Sequence, residues 1–446
     1  MSLSVYSEKT LSLVRAETER VLSQDPLASI FEIERWVQEQ DEWRSRHCLN
    51  LNPAESLLSR RCRRILDSDL ATRLSEGHPG DKIYPPKRQH RYIDRIEAQI
   101  LGLTRELFGA TYVEWRPSST SLANAAVFFA GLRPGDVALV QGDNNGGNYA
   151  YNSRGPIALT GARIEPIAPQ GDCFEFDLDE FRRQVDRLQP KMIVIGGSYV
   201  LFPYPVSEMR RIADRCGARL VYDGAHLGLL LSKGDFQRPL EEGAHALIVS
   251  THKVMGGPVG GLVLSNDAEF MSRILDITFP GLLQTRDLNK YASLALALNE
   301  IRAFGTPLAK AMVHNAKALA QSLEADGFRV LGRVRSFTQS HQIFVHLGNR
   351  AADAEQRCQD AGILLARSLM VGDERDNPSG SRLATHEVTR QGMGESEMAL
   401  ISSFIRRVVM DGERPEQVAE DVSRLLTRFP DIQYSFDAAK EPNLNQ

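Results

Sequence analysis

Cysteine is scarce: the 446 residues include five, Cys48, Cys62, Cys173, Cys216 and Cys358. They are odd in number, scattered and never in a CxxC pair. This excludes a disulfide framework and a cysteine-based zinc site, and fits reduced thiols in a cytoplasmic protein. No apolar run approaches the ~20 residues of a membrane-spanning helix, and the polar, mixed-charge start MSLSVYSEKTLSLVRAETERV does not read as a signal peptide. A basic excess is missing as well. Lys and Arg number 53 against 57 Asp and Glu, a net charge of −4, which leaves no electrostatic footprint for nucleic acid or a membrane surface. Internal repeats and low-complexity tracts are absent. What is present is 42% hydrophobic residues on a long chain, enough for a sizeable core.

In SIFEIERWVQEQDEWRS, apolar Ile30, Ile33, Trp36 and Val37 fall at helical spacing, so residues 1–50 are expected to form a helical arm lying on another surface. From about 90 to 270, apolar runs alternate with amphipathic stretches. The runs are VALVQG (137–142), KMIVIGG (191–197), RLVYDG (219–224), ALIVS (246–250) and GGLVLS (260–265). DLDEFRRQVDRLQ and PVSEMRRIADRCG lie between them as helices. Runs without polar alternation are buried on both faces, so the expectation is an α/β fold with a mostly parallel central sheet flanked by helices, over 51–290. Beyond it, KYASLALALNEIRAF and then LAKAMVHNAKALAQSLEADG read as helix, stopped at Gly327. HQIFVHLG (341–348) reads as strand, and 395–409 and 414–428 as helices. Residues 291–446 thus make a smaller C-terminal α+β domain.

The densest chemistry is STHKVMGGPVGG (250–261), where Ser250 ends a strand and Lys253 follows before a glycine-rich loop. In open α/β sheets ligands bind beyond the C-terminal strand ends. A lysine there can form a Schiff base if burial lowers its pKa. Taken alone, Lys253 is equally a solvated loop residue. Asp223, at another strand end with His226 three residues on, suits the ring nitrogen of pyridoxal phosphate, although an aspartate there can also cap a helix. The two signals together are harder to dismiss than either. In WRPSSTSLANAAVFFAGL, Ser118 to Ser121 open an amphipathic helix, and a helix N-terminus rich in hydroxyls is an anion site.

With these residues in view, the chain resembles the serine hydroxymethyltransferase-like group of fold-type I pyridoxal-phosphate enzymes. The resemblance rests on AES (54–56), EGHPG (76–80), YIDRIE (92–97), DGAH (223–226), THK (251–253), GGPVGG (256–261), FPG (279–281) and Arg382 within SRLATHEVTRQG (381–392). It implies pyridoxal 5′-phosphate on Lys253 as a Schiff base, Asp223 at the pyridine nitrogen, and His226 and Ser198 near the ring hydroxyl. It further implies Ser119, Thr120, Ser121, Ser250 and His252 about the phosphate, with Gly281 of a second subunit. Arg382 would fork onto the substrate carboxylate. Glu76 and Tyr84 would enter from the partner protomer of a homodimer, Glu76 as an acid–base group.

Departures from the family pattern carry the functional information. Where relatives stack a histidine on the cofactor ring, NNGGN places Asn145, which cannot titrate near neutral pH. Ala54 replaces a serine that touches the substrate carboxylate, Leu74 a tyrosine and Val259 an arginine; His78 stands for another tyrosine, and His386 is a further substrate-facing change. Ile83 and Ser340 stand where the family has pterin-lining tyrosine and asparagine. FTQSHQ (337–342) and RFPDIQYSF (428–436) resemble folate-independent threonine transaldolases of specialised, natural-product metabolism. The expectation is therefore aldol and retro-aldol chemistry at the α-carbon of an amino acid, with an amino acid and an aldehyde as substrates. The alternatives are oxidation, decarboxylation or racemisation of an amino acid on the same cofactor, folate-dependent hydroxymethyl transfer, and an inactive cofactor-binding scaffold.

Overall fold

The computed structural model describes residues 5–84, 88–233 and 236–439. The apolar runs become the middle of a seven-stranded sheet. Its strands are Tyr112–Glu114 (β1), Val137–Val140 (β2), Arg163–Pro166 (β3), Met192–Gly196 (β4), Arg219–Asp223 (β5), Ala246–Ser250 (β6) and Gly261–Ser265 (β7), in the order β1-β7-β6-β5-β4-β2-β3. β7 runs antiparallel to both neighbours, and every other pairing is parallel. β4, β6 and β7 are buried along their whole length, as continuous apolar strands require. The edge strands β1 and β3 lack such runs and were not expected from the sequence.

Alternate strand residues feed two cores. Ile193, Ile195, Leu220, Leu247 and Val249 pack on one face and Val194, Val221, Ile248 and Val263 on the other. The helical arm comprises Glu8–Ser23 (α1) and Pro26–Arg46 (α2). His90–Phe108 (α3) covers the first face and Thr120–Gly131 (α4) the second, while Leu178–Leu188 (α5) and Val206–Ala213 (α6) join α3. Such two-sided coverage is what a parallel sheet needs.

Leu288–Ala325 (α7) is one helix, where the sequence suggested two stretches around Gly305-Thr306-Pro307. Pro307 removes one ladder hydrogen bond. Burial on both sides outweighs that loss: Leu308, Ala309 and Met312 lie in the sheet core, and Ala316, Leu319 and Leu323 in a separate C-terminal core. That second core sits under a four-stranded antiparallel sheet of Arg329–Val330 (β8), Gln342–His346 (β9), Ala366–Ser368 (β10) and Gly380–Ala384 (β11), ordered β8-β9-β11-β10, with Glu395–Val409 (α8) and Pro415–Leu426 (α9). Leu49 and Leu51, just past the arm, also pack in this core, because Leu49–Asn50 pairs in parallel with Ile363–Leu364.

The arm itself has no buried residue. Leu13, Ile30, Phe31, Ile33, Trp36 and Val37 are all exposed, and the arm is tied back by the Arg44–Glu55 ion pair at 2.6 Å. Among the described residues no helix is long and apolar enough to cross a membrane, and no group of His, Cys, Asp or Glu is placed to hold a metal ion.

Candidate active site

The C-terminal ends of β2, β4, β5 and β6 open on one crevice, the position where parallel sheets bind ligands. Asp223 closes β5. Its Oδ1 accepts the Ala225 N–H at 3.0 Å, while Oδ2 is buried without a hydrogen-bond partner. Burial raises the carboxyl pKa; the Ala225 N–H and the Lys253 charge oppose that rise.

His226 follows on the turn into a short helix, Gly228–Ser232, with Nε2 2.9 Å from Lys253 Nζ. Burial first, and then the Lys253 charge, push the imidazole well below its ordinary pKa. It is therefore neutral. Nε2 accepts the lysine hydrogen, and the protonated Nδ1 is buried without a partner. Burial lowers the Lys253 ammonium to about 8, with Asp223 opposing and Arg382 assisting.

The start of α4 lies beside this group. Ser119 Oγ accepts the Leu122 N–H at 3.2 Å, as a helix cap does. Thr120 Oγ1 is buried without a partner, and Ser121 is exposed. β7 begins against this turn so closely that a Cβ on Gly261 would lie 2.8 Å from Ser119 O, which is why glycine stands there. His252 Nδ1 lies 3.0 Å from Ser250 Oγ, and burial first lowers the ring to about 4.

Asn145, after β2, is buried. Its Nδ2 donates to Glu175 O at 3.1 Å, and its Oδ1 has no partner. Gln141 fixes this loop, donating to Asn145 O at 2.5 Å and accepting the Gly196 N–H at 2.8 Å. Asn148 Nδ2 donates to Ser198 Oγ at 3.0 Å. Ser198 O in turn accepts Arg382 Nη1 at 2.5 Å, which ties the small sheet to the large one. Arg382, from β11, lies over the Tyr199 ring at 4.8 Å. Burial lowers its guanidinium to about 10, so it remains cationic, yet it has no carboxylate partner among the described residues. A buried cation without a counter-ion is a site for an anion.

The structure thus gathers Lys253, Asp223, His226, Ser119, Thr120, Asn145, Ser198, Ser250, His252 and Arg382 along this crevice. Half-buried Ala54 adjoins Glu55, whose carbonyl is bonded to His386 Nε2. Within the single chain, Glu76, Tyr84 and Gly281 have no hydrogen bond or ion pair to the group; Tyr84 and Gly281 are exposed. Gln141, Asn148 and His341 belong to the site's frame and were not singled out by the sequence. For Gln141 the signal was a polar residue ending an apolar strand. For Asn148 and His341 it was their place inside segments already marked for other residues.

Residues 29–405 match the serine hydroxymethyltransferase family model. The chain belongs to the serine hydroxymethyltransferase family. A serine hydroxymethyltransferase of Korarchaeum cryptofilum is 36% identical over 93% of this chain and 98% of its own length, and that of Methanocaldococcus jannaschii 37% identical over 89% and 94%. The crystal structure of L-threonine transaldolase from Pseudomonas fluorescens in the internal aldimine state superimposes with a TM-score of 0.85 at 25% identity, covering 97% of this chain and 98% of that one. The protein is accordingly a pyridoxal-phosphate-dependent transferase of fold type I.

The residues present fit the cofactor. Asp223 Oδ2 is a buried acceptor free for a ring N–H, Lys253 is an amine at the crevice, and Thr120 Oγ1 at a helix N-terminus could meet a phosphate. An amine attacks an aldehyde only when neutral. Capture of pyridoxal phosphate by the apoprotein should therefore speed up as pH rises through about 8, the Lys253 value, and level off above it. An ordinary lysine would keep gaining rate well past pH 9. Absorbance-monitored reconstitution across the pH range checks this.

Proposed function

We propose that this enzyme cleaves a β-hydroxy-α-amino acid such as threonine by retro-aldol chemistry and joins the glycyl unit to a second aldehyde, without a folate. The observation that carries the reading is Ser340. It stands where the family's pterin-lining asparagine would be, yet it is fully buried, with its hydroxyl donating to Val200 O at 2.6 Å. Ile83, at the other pterin position, is an exposed apolar side chain. A pterin edge finds neither polar partner there, and an unmatched buried polar group costs ~1–3 kcal/mol. The threonine transaldolase neighbour supports the same reading.

In this reading Arg382 holds the substrate carboxylate, beside Ala54. Asp223 Oδ2 keeps the ring nitrogen protonated, and His226 Nε2 holds a hydrogen of Lys253 Nζ. Ser198 and His226 would lie near the ring hydroxyl, and Asn145 would cover the ring. Ser119, Thr120, Ser121, Ser250 and His252 would hold the phosphate, with Gly281 from a partner protomer. When bound, pyridoxal phosphate draws electrons from the bonds of the substrate α-carbon. Lys253 Nζ would serve as the base at that carbon, and Glu76 from a partner protomer would move the proton of the β-hydroxyl. The five free thiols suit a cytoplasmic enzyme.

Exposure of Tyr84 and Gly281, and the apolar surface of the arm, support a homodimer with shared sites. Glu76→Gln and Lys253→Ala homodimers should each be nearly inactive. Heterodimers of the two should regain activity, since one site per dimer is then intact. Verified heterodimers that stay inactive would mean that each site is complete within one chain.

The deciding assay offers holoenzyme threonine with a panel of aromatic aldehydes, and separately serine with a reduced folate, with products identified by mass. The expected result is acetaldehyde release and a new β-hydroxy amino acid without any folate. The second reading, hydroxymethyl transfer to a reduced pterin, is favoured by 36% identity over nearly the whole chain to an archaeal serine hydroxymethyltransferase. Turnover of serine that requires the pterin, with no transfer from threonine, would establish it.

A further inference from the structure

Two histidines lie buried near Arg382, and one of them has no hydrogen-bond partner among the described residues. His341 and His386 are fully buried, their ring centroids 5.4 Å apart at 82°, edge against face. The Arg382 charge reaches both rings and helps to depress their basicity below its ordinary value, after burial, which is the larger cause. His386 Nε2 is bonded to Glu55 O. A carbonyl can only accept, so Nε2 is the protonated nitrogen of His386 and Nδ1 is bare. Neither nitrogen of His341 has a partner.

The same corner holds other unused donors. Gln342 Oε1 accepts the Val200 N–H at 3.1 Å, and its Nε2 is unpartnered; Arg382 Nε is unpartnered too. In the β9–β11 register Phe344 faces Arg382 and Gln342 faces Ala384, so Gln342 and Arg382 project from the same face of the small sheet. Buried polar groups in native folds have partners almost without exception. A His341 ring N–H and Gln342 Nε2, beside a guanidinium whose own Nε is free and which has no carboxylate partner among the described residues, therefore call for an acceptor-rich anion. A carboxylate, with two oxygens and about four acceptor sites, matches them. Ala54 offers no hydroxyl to such an anion. His386 is anchored on the carbonyl of the very next residue, so the small-domain histidines stand where that donor is lacking.

We propose that His341 donates a ring N–H to the substrate α-carboxylate held by Arg382, and that His386, anchored on Glu55, is a positioning residue that fixes the plane of the His341 ring. This rests on the reading of the site as one for an α-amino acid. Gln342 Nε2 completes the donor set.

Two probe ligands separate this contact from a structural role. Glycine carries amine and carboxylate; ethanolamine carries the amine alone. Each is titrated into holoenzyme while the cofactor absorbance is followed, for the native protein, His341→Phe and His341→Asn. The phenyl ring keeps shape and burial but donates nothing; the amide keeps a donor and serves also if the Phe variant fails to fold. The expected result is glycine affinity weakened ~10-fold or more in His341→Phe, part of it retained in His341→Asn, and ethanolamine affinity unchanged within about twofold in both. Unchanged glycine affinity in His341→Phe overturns the contact. Equal weakening of both ligands assigns His341 a structural role and overturns it as well. A native holoenzyme that responds to ethanolamine but to no α-amino acid removes the amino-acid reading itself, and with it this proposal.

Discussion

Asp223→Asn should slow α-proton exchange of glycine on the order of 10²–10³-fold, the scale of losing one preorganised electrostatic group in a buried site. Asn keeps the size of the side chain and an Oδ1 for the Ala225 N–H, which Asp223 accepts at 3.0 Å. What it loses is the negative charge on the unpartnered, buried Oδ2. Without that charge nothing holds a proton on the cofactor ring nitrogen, and the ring draws electrons less strongly. Exchange of the glycine α-proton in deuterium oxide, followed by NMR, depends on this electron withdrawal and not on which aldehyde the enzyme uses. The variant should still bind cofactor, as its absorbance will show. Exchange at the native rate would mean that Asp223 serves the fold and not the ring.

Lys253→Ala should have the larger effect, since in the proposed function this residue is both the covalent anchor and a base at the substrate α-carbon. General acid–base catalysis contributes about 10²–10⁴-fold, so exchange should fall by at least that much. The neighbours explain why this lysine suits the task. Burial lowers its amine to about 8, and His226 Nε2 at 2.9 Å is a neutral acceptor that does not add charge. Added methylamine should restore part of the rate, since a small amine can fill the space. Rescue at the native level of cofactor binding would separate loss of the amine from collapse of the site.

The residues most legible in the sequence were those whose position follows from strand ends. Asp223 and Lys253 close or follow strands with an apolar middle, and such strands are recognisable because burial on both faces leaves no polar alternation. The edge strands β1 and β3 lacked that signal: β3 is exposed at both ends. α7 runs unbroken through Pro307, which opposes helix locally, because the two cores it joins act over its whole length. Ser119 was marked as a cap and as a phosphate contact; its cap bond is present. His341 was hidden for a different reason. Its surroundings arise from packing on His386, which lies more than forty residues on in the chain and meets it only once the small sheet has formed. Gln141 likewise acquires its role by reaching Gly196 on the neighbouring strand. Tertiary contacts of this kind leave no periodicity to read.

Whether the Lys253 amine carries the cofactor is read directly by trapping the linkage. Holoenzyme is reduced with borohydride, digested, and its peptides sequenced by mass spectrometry. The expected result is a single pyridoxyl-phosphate adduct, on Lys253, and none in Lys253→Ala. An adduct on another lysine, or native protein that carries tightly bound cofactor with Lys253 unmodified, would contradict it.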